Sequence, residues 1–204
     1  MPTTQLQVNN LSCIRDDRTL FTGINFSLHP GQALLLEGKN GSGKTSLLRI
    51  LCGFREADSG EILWCNRSIE DSSYYTDMAY VGHLDGIKKE LTVLENLKFA
   101  MALSGSSTYS ITEALSRVQL SGYEDALLQT LSAGQKRRLS LARLLITQKK
   151  FWILDEPFTS LDKHGIALIE TLMIAHCQSG GMIVLTSHHN VNLNGINLQR
   201  ISLS

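Results

Sequence analysis

Long apolar runs are missing from this 204-residue chain. The longest, such as Phe151-Trp152-Ile153-Leu154 and Met182 to Leu185, stop at four or five residues. A helix that crosses a membrane needs about 20. The amino terminus, Met-Pro-Thr-Thr-Gln, has neither a basic start nor an apolar stretch, so no signal peptide is expected. Membrane association is then expected to come through a partner. Net charge is missing as well, because 19 basic and 19 acidic side chains cancel. Such a chain lacks the summed field that draws proteins onto nucleic acid or anionic lipid. The four cysteines, Cys13, Cys52, Cys65 and Cys177, are scattered, and no pair has the CxxC spacing of a metal or redox site. A reduced cytosolic setting is expected, with the thiols as small apolar packing residues. Internal repeats, low-complexity tracts and long linkers are absent too.

What is present is an alternation of short apolar runs with helical patterns. Gln32 to Glu37, Glu61 to Cys65, Met78 to Gly82, Lys150 to Leu154 and Met182 to Ser187 read as strands. Runs that are apolar throughout suit strands buried on both faces of a mainly parallel sheet. Lys44 to Cys52 reads as a helix stopped by Gly53. Thr92 with Glu95, and Ser110 with Glu113, match the capping box that opens a helix. The two helices are predicted to run to about Leu103 and Leu120, with Gly105-Ser106-Ser107 as the loop between them. The simplest architecture is one α/β domain, 1–204, with a core of 1–83 and 141–204 and an inserted helical part over about 84–140.

Gly38-Lys39-Asn40-Gly41-Ser42-Gly43-Lys44-Thr45 matches GxxxxGK[ST] in full. Its glycines let the backbone turn so tightly that successive N–H groups face inward on phosphate oxygens. The helix that starts here, running on through Ser46, adds its positive end. Lys44 supplies charge to the β- and γ-phosphates, and Thr45 a hydroxyl to Mg²⁺. A chance glycine-rich turn would lack the strand before and the helix after. The expected ligands are therefore ATP and Mg²⁺.

Phe151 to Leu154 leads into two acids, Asp155 and Glu156. Neighbouring strand residues point to opposite sides, which predicts separate tasks. Asp155 at the strand tip can reach the Mg²⁺ shell. Glu156 can orient and deprotonate a water attacking the γ-phosphorus. The plainer alternative is an acidic turn that caps a strand.

Leu131-Ser132-Ala133-Gly134-Gln135 resembles the LSGGQ signature of the ABC ATPase family, with one Gly→Ala change. Ser132 and Gln135 also fit a capping box, and the two readings are compatible. The resemblance implies the ABC-type P-loop NTPase (RecA-like) core, with an antiparallel β subdomain and a small inserted helical subdomain. It also implies that Ser132, Gly134 and Gln135 bind the γ-phosphate of ATP held by a second copy of the chain, in a head-to-tail homodimer. Lys136-Arg137-Arg138 is expected to be a solvated helix face. Ser160-Leu161-Asp162 matches the family's D-loop, although Asp162 could merely cap the next helix. His188, beyond the last buried strand, matches the family's switch histidine at the γ-phosphate. His189 beside it is left unassigned.

Two positions depart from the family pattern. Histidine, His83, stands in Val81-Gly82-His83 where the family places the glutamine that helps hold Mg²⁺ and the attacking water. Imidazole can donate or accept a hydrogen bond but titrates near physiological pH. His83 is expected to substitute for the glutamine and to make turnover pH-sensitive. Arg15 falls where the family stacks an aromatic on adenine, and a guanidinium also stacks on flat π-systems.

Tyr80 to His83, Gly86 to Thr92 and Trp152 to His164 resemble the ATP-binding subunits of haem-export, or cytochrome c maturation, systems. That resemblance implies an inner-membrane ABC transporter complex, with this chain peripheral on the cytoplasmic face. It implies a polytopic membrane permease partner, CcmB-like, with a CcmC-like protein as a second option. Haem contact by this chain is not expected, since its six histidines form no ligand-like cluster, and no nucleic-acid partner is expected. The alternatives left open are an exporter ATPase for another substrate and an ATP-dependent dimerising cassette with little hydrolysis.

Overall fold

The computed structural model of the chain describes residues 5–70, 72–82, 86–104 and 109–203. It begins with an antiparallel ribbon, β1 (Leu6–Arg15) and β2 (Arg18–Leu28), that continues sideways through β4 (Ser59–Trp64) to the short β5 (Arg67–Ser68). In β1, Leu6 and Val8 are buried in alternation, and then the register slips near Asn10, whose φ is 50°. A slip of this kind bends the strand. It keeps Leu11 and Cys13 buried on the far side of the bend.

The second sheet is wholly parallel, in the order β6 (Met78–Val81), β7 (Phe151–Leu154), β8 (Met182–Thr186), β3 (Gln32–Glu37), β9 (Asn197–Ser202). The strand pleat sends alternate residues to opposite faces. Ala33 and Leu35 join one core, with Trp152, Leu154, Ile183 and Leu185; Leu34 and Leu36 join the other, with Phe151, Ile153, Met182 and Val184. The first core is closed by α3 (Val93–Ser104), α4 (Ile111–Arg117), α5 (Ala133–Thr147) and α6 (Lys163–Gln178). The second is closed by the antiparallel sheet, α1 (Lys44–Leu51) and Tyr74 of the short α2 (Ser72–Asp77). This sandwiching explains why β7 and β8 read as unbroken apolar runs.

Local signals fix the helix ends. The Thr92/Glu95 box forms, with the Thr92 N–H donating to Glu95 at 2.8 Å and the Glu95 N–H to the Thr92 hydroxyl at 3.2 Å. Ser110 and Glu113 do the same for α4. After α1, the Phe54 N–H donates to the Arg49 carbonyl and the Gly53 N–H to Ile50, the pair of bonds that closes a helix with a left-handed residue. The α4 helix ends earlier than the expected Leu120. Gln119 turns left-handed at φ 55°, so that Leu120 folds back into the core and donates to the Leu115 carbonyl. Position 140, the expected end of the inserted part, lies inside the continuous α5. The loop expected at Gly105-Ser106-Ser107 lies outside the described residues. No described helix is long and apolar enough to cross a membrane.

Candidate active site

All five parallel strands run the same way, so the loops after β3, β6, β7 and β8 collect at one end of the sheet. Ligands of open α/β sheets bind at that carboxyl end. The chain leaving β3 passes through Gly38, Gly41 and Gly43 at φ 147°, 82° and 99°, left-handed values open to glycine at little cost. A methyl on Gly38 would sit 2.5 Å from the Leu203 carbonyl oxygen. Gly43 is the N-cap of α1 and offers no side-chain cap. The helix therefore leaves its first N–H groups for an anion. Lys44, 8% exposed, donates from Nζ to the carbonyls of Gly38 at 2.6 Å and Lys39 at 3.2 Å. Its ammonium is thus held at the mouth of the loop it would share with phosphate.

The two acids beyond β7 do part company. Asp155 is buried, with Oδ1 accepting from the Thr186 hydroxyl at 2.8 Å and Oδ2 accepting from the Thr45 hydroxyl at 3.3 Å. Glu156 adopts φ 51°, a strained conformation for a residue with a Cβ. Its N–H donates to Thr186 Oγ1 at 2.9 Å, and its Oε2 accepts from the His188 N–H at 3.2 Å. Its Oε1 is buried, lies 3.5 Å from His188 Nε2, and has no hydrogen-bond donor among the described residues. A buried acceptor left unpaired is costly unless a ligand or water completes it.

Asn40, Gly41, Gly43, Lys44, Thr45, Ser46, Asp155, Glu156 and His188 line one cleft of about 290 Å³, with Arg15 on its rim. Arg15 pairs with Asp16 at 3.3 Å and is well exposed. A second cleft, about 480 Å³, holds Ser132, Gly134 and Gln135 together with Ser160, Leu161 and Asp162. Ser132 caps α5, and Gln135 returns the bond to the Ser132 N–H at 2.8 Å. Asp162 caps α6 by accepting from the Gly165 N–H at 2.7 Å. A methyl on Gly134 would lie 2.8 Å from the Ser160 carbonyl oxygen, whereas Ala133 is exposed. The structure thus accommodates the methyl group at the first glycine position of the signature and has no room for one at the second.

The expectation for Lys136-Arg137-Arg138 needs correction. Arg137 is 4% exposed and turned inward. Its guanidinium donates to the carbonyls of Gly82 at 2.8 Å, Asp155 at 2.8 Å, Glu156 at 2.7 Å and Pro157 at 3.1 Å. Arg138 donates to the Val118 and Gln119 carbonyls, and Lys136 reaches Gln129. The charge run is a set of main-chain fasteners aimed in different directions: Arg137 packs on the ends of β6 and β7, Arg138 on the end of α4, and Lys136 on the turn before α5. His83 lies outside the described residues. Sequence reasoning also missed Thr186, whose hydroxyl ties both acids; its only signal is a lone polar residue closing an apolar strand.

Burial pushes the Cys52 and Cys177 thiols up to about 12, so they stay protonated and unreactive. All four cysteines are free.

A glycine-lined anion cradle, a hydroxyl–carboxylate pair and an acid beside a histidine in the same cleft define a nucleoside-triphosphate hydrolase of the P-loop class. The chain belongs to the ABC transporter family, whose profile matches residues 21–159, and it is an ATP-binding ATPase of that kind. It is similar to the cytochrome c biogenesis ATP-binding export protein CcmA of Vibrio cholerae, at 46% identity over 97% of this chain and 98% of the relative. It is also similar to CcmA of Methylococcus capsulatus, at 48% identity over 96% of each. Among solved structures, an ABC transporter ATP-binding protein of Pyrococcus furiosus shares the fold with a TM-score of 0.85 at 22% identity, covering 98% of this chain and 97% of that one.

Proposed function

We propose that the chain is the ATP-hydrolysing subunit of an ABC exporter serving cytochrome c biogenesis through haem export, the work named for its CcmA relatives. The observation that carries the hydrolytic part is that the Glu156 carboxylate, 3.5 Å from His188 Nε2, lines the same cleft as Lys44, Thr45 and Asp155. In the reaction, the cradle N–H groups and Lys44 hold the β- and γ-phosphates of ATP. Glu156 accepts a proton from the water as its oxygen attacks the γ-phosphorus. The bond from that phosphorus to the bridging oxygen breaks, and ADP and phosphate leave. His188 Nε2, beside the Glu156 carboxylate, orients the γ-phosphate and the water.

Thr45 Oγ1 and Asp155 Oδ2, 3.3 Å apart, form a small hard-oxygen donor set. Such a set fits Mg²⁺, which keeps most of its shell for water and phosphate oxygens. When bound, that ion would neutralise charge on the phosphates. The second cleft, with Ser132, Gly134 and Gln135 at a capped helix start, suits the γ-phosphate of a nucleotide on another copy. Two copies head to tail would then complete two equivalent sites. A polytopic permease of the CcmB type, embedded in the inner membrane, would complete the complex, with this chain peripheral on its cytoplasmic face. Arg15 would stack on adenine, and His83 would take the family glutamine's place.

Replacement of Glu156 by Gln tests the core of this reading. It should abolish hydrolysis while ATP still drives two chains together. Turnover at the wild-type rate in that variant would remove Glu156 as the general base.

A further inference from the structure

Arg137 sits three residues into the chain's own signature helix after Gly134, yet its guanidinium ends on the opposite functional element. Its donors span two strand ends, Gly82 after β6 and Asp155, Glu156 and Pro157 after β7. One of the accepting carbonyls belongs to Glu156, the strained residue whose carboxylate lies beside His188. That carbonyl also accepts from the Thr159 N–H at 3.2 Å within the following turn, and at the other end Thr186 Oγ1 accepts the Glu156 N–H. Glu156 is therefore held at its two peptide ends, one end from β8 and the other from α5. A planar fork with five donors suits this, since it can hold several carbonyls in one fixed arrangement.

The same helix opens the second cleft with Ser132, Gly134 and Gln135. We propose that Arg137 is a positioning residue that couples the two clefts: a shift of the signature helix on the partner's nucleotide is passed through its guanidinium to the Glu156 backbone. Each chain would then aim its own general base only when its signature helix is seated on the other nucleotide. This rests on the role assigned to Glu156 above. The buried guanidinium lines neither cleft, so its effect should fall on turnover and cooperativity and not on ATP affinity.

The test compares Arg137→Gln, Arg137→Lys and Glu156→Gln in the full-length chain assembled with its membrane partner, using Mg-ATP. Lysine keeps the charge and most of the stem but lacks the fork. The expected result for Arg137→Lys is native folding, an unchanged KM for ATP, kcat down by about tenfold and a Hill coefficient falling toward one. Arg137→Gln should lower kcat further, by about a hundredfold at most, again with little change in KM. A lysine variant that matches wild type in kcat and Hill coefficient would overturn the proposal, even if it melts earlier, because that is what a purely structural fastener gives. A raised KM with normal kcat would equally overturn it. Full activity in Glu156→Gln would instead fault the assignment of the base and leave its own distinct signature.

Discussion

Thr186 Oγ1 donates to Asp155 Oδ1 at 2.8 Å while accepting the Glu156 N–H at 2.9 Å. One hydroxyl at the end of β8 thereby fixes both acids beyond β7 relative to each other. Thr186 is completely buried, so neither partner can turn to bulk water if the hydroxyl is removed.

Thr186→Val keeps the shape and deletes the hydroxyl. It should destabilise the chain by about 1–3 kcal/mol, the cost of buried groups left unpaired, and lower kcat by about tenfold or more. Thr186→Ser should recover most of both. Urea unfolding and steady-state ATPase rates on the three proteins decide it, and a valine variant with wild-type kcat would refute the link to catalysis.

Gly134→Ala should impair ATP-driven pairing of chains, because the methyl would press on the Ser160 carbonyl oxygen at 2.8 Å. Backbone on both sides leaves little room to yield. Ala133→Gly, at an exposed position, should change pairing less than twofold, roughly the scale of a surface substitution. Light scattering with ATP on the Glu156→Gln background measures both. Equal effects at the two positions would contradict the geometry.

Lys44→Ala removes a cation held by the Gly38 and Lys39 carbonyls. Charge-assisted bonds to phosphate are worth about 1.5–3 kcal/mol, so ATP affinity should fall by about ten- to a hundredfold. Equilibrium titration with a fluorescent ATP analogue reads this directly; an affinity within twofold of wild type would show that the cradle binds without its lysine.

Stability should decline on acidification between about pH 6.5 and pH 4. His176 stacks on Trp152 at 3.7 Å, and burial lowers its pKa to about 4 from 6.5. In that window the unfolded chain takes up a proton that the folded chain refuses, so stability rises with pH there. Above pH 6.5 both states are neutral at this group, and below about pH 4 the loss is complete. The shift corresponds to on the order of 3 kcal/mol. His176→Phe, which keeps a ring on Trp152, should flatten that part of the stability-versus-pH curve; an unchanged slope would assign the effect to other groups.

The phosphate loop, the two acids and the signature were legible because each lies in a short contiguous stretch with its own spacing, and His188 because it follows a buried strand. The parallel strands were legible because both faces of β7 and β8 are covered, which leaves no polar residue to interrupt them. The ribbon was harder. The pleat of β1 is broken at Asn10, so its alternation fails halfway, and β9 is an edge strand with only partial burial. Arg137 was misread because charge in a helix pattern gives no sign that the tip will find four main-chain carbonyls distant in sequence. Thr186 was missed for the same reason: its partners belong to another strand.

The cleft that holds the cradle and the cleft that holds the signature share no residue. On the head-to-tail pairing proposed above, each chain would present two unlike half-sites, and collision between chains would become part of the rate law. Dilute chains on their own should hydrolyse ATP with a specific activity that climbs with protein concentration. A membrane partner that tethers two copies would replace that collision with a fixed effective concentration, of millimolar order for short tethers. The permease would then act as a throttle on hydrolysis simply by holding its two copies within reach of each other.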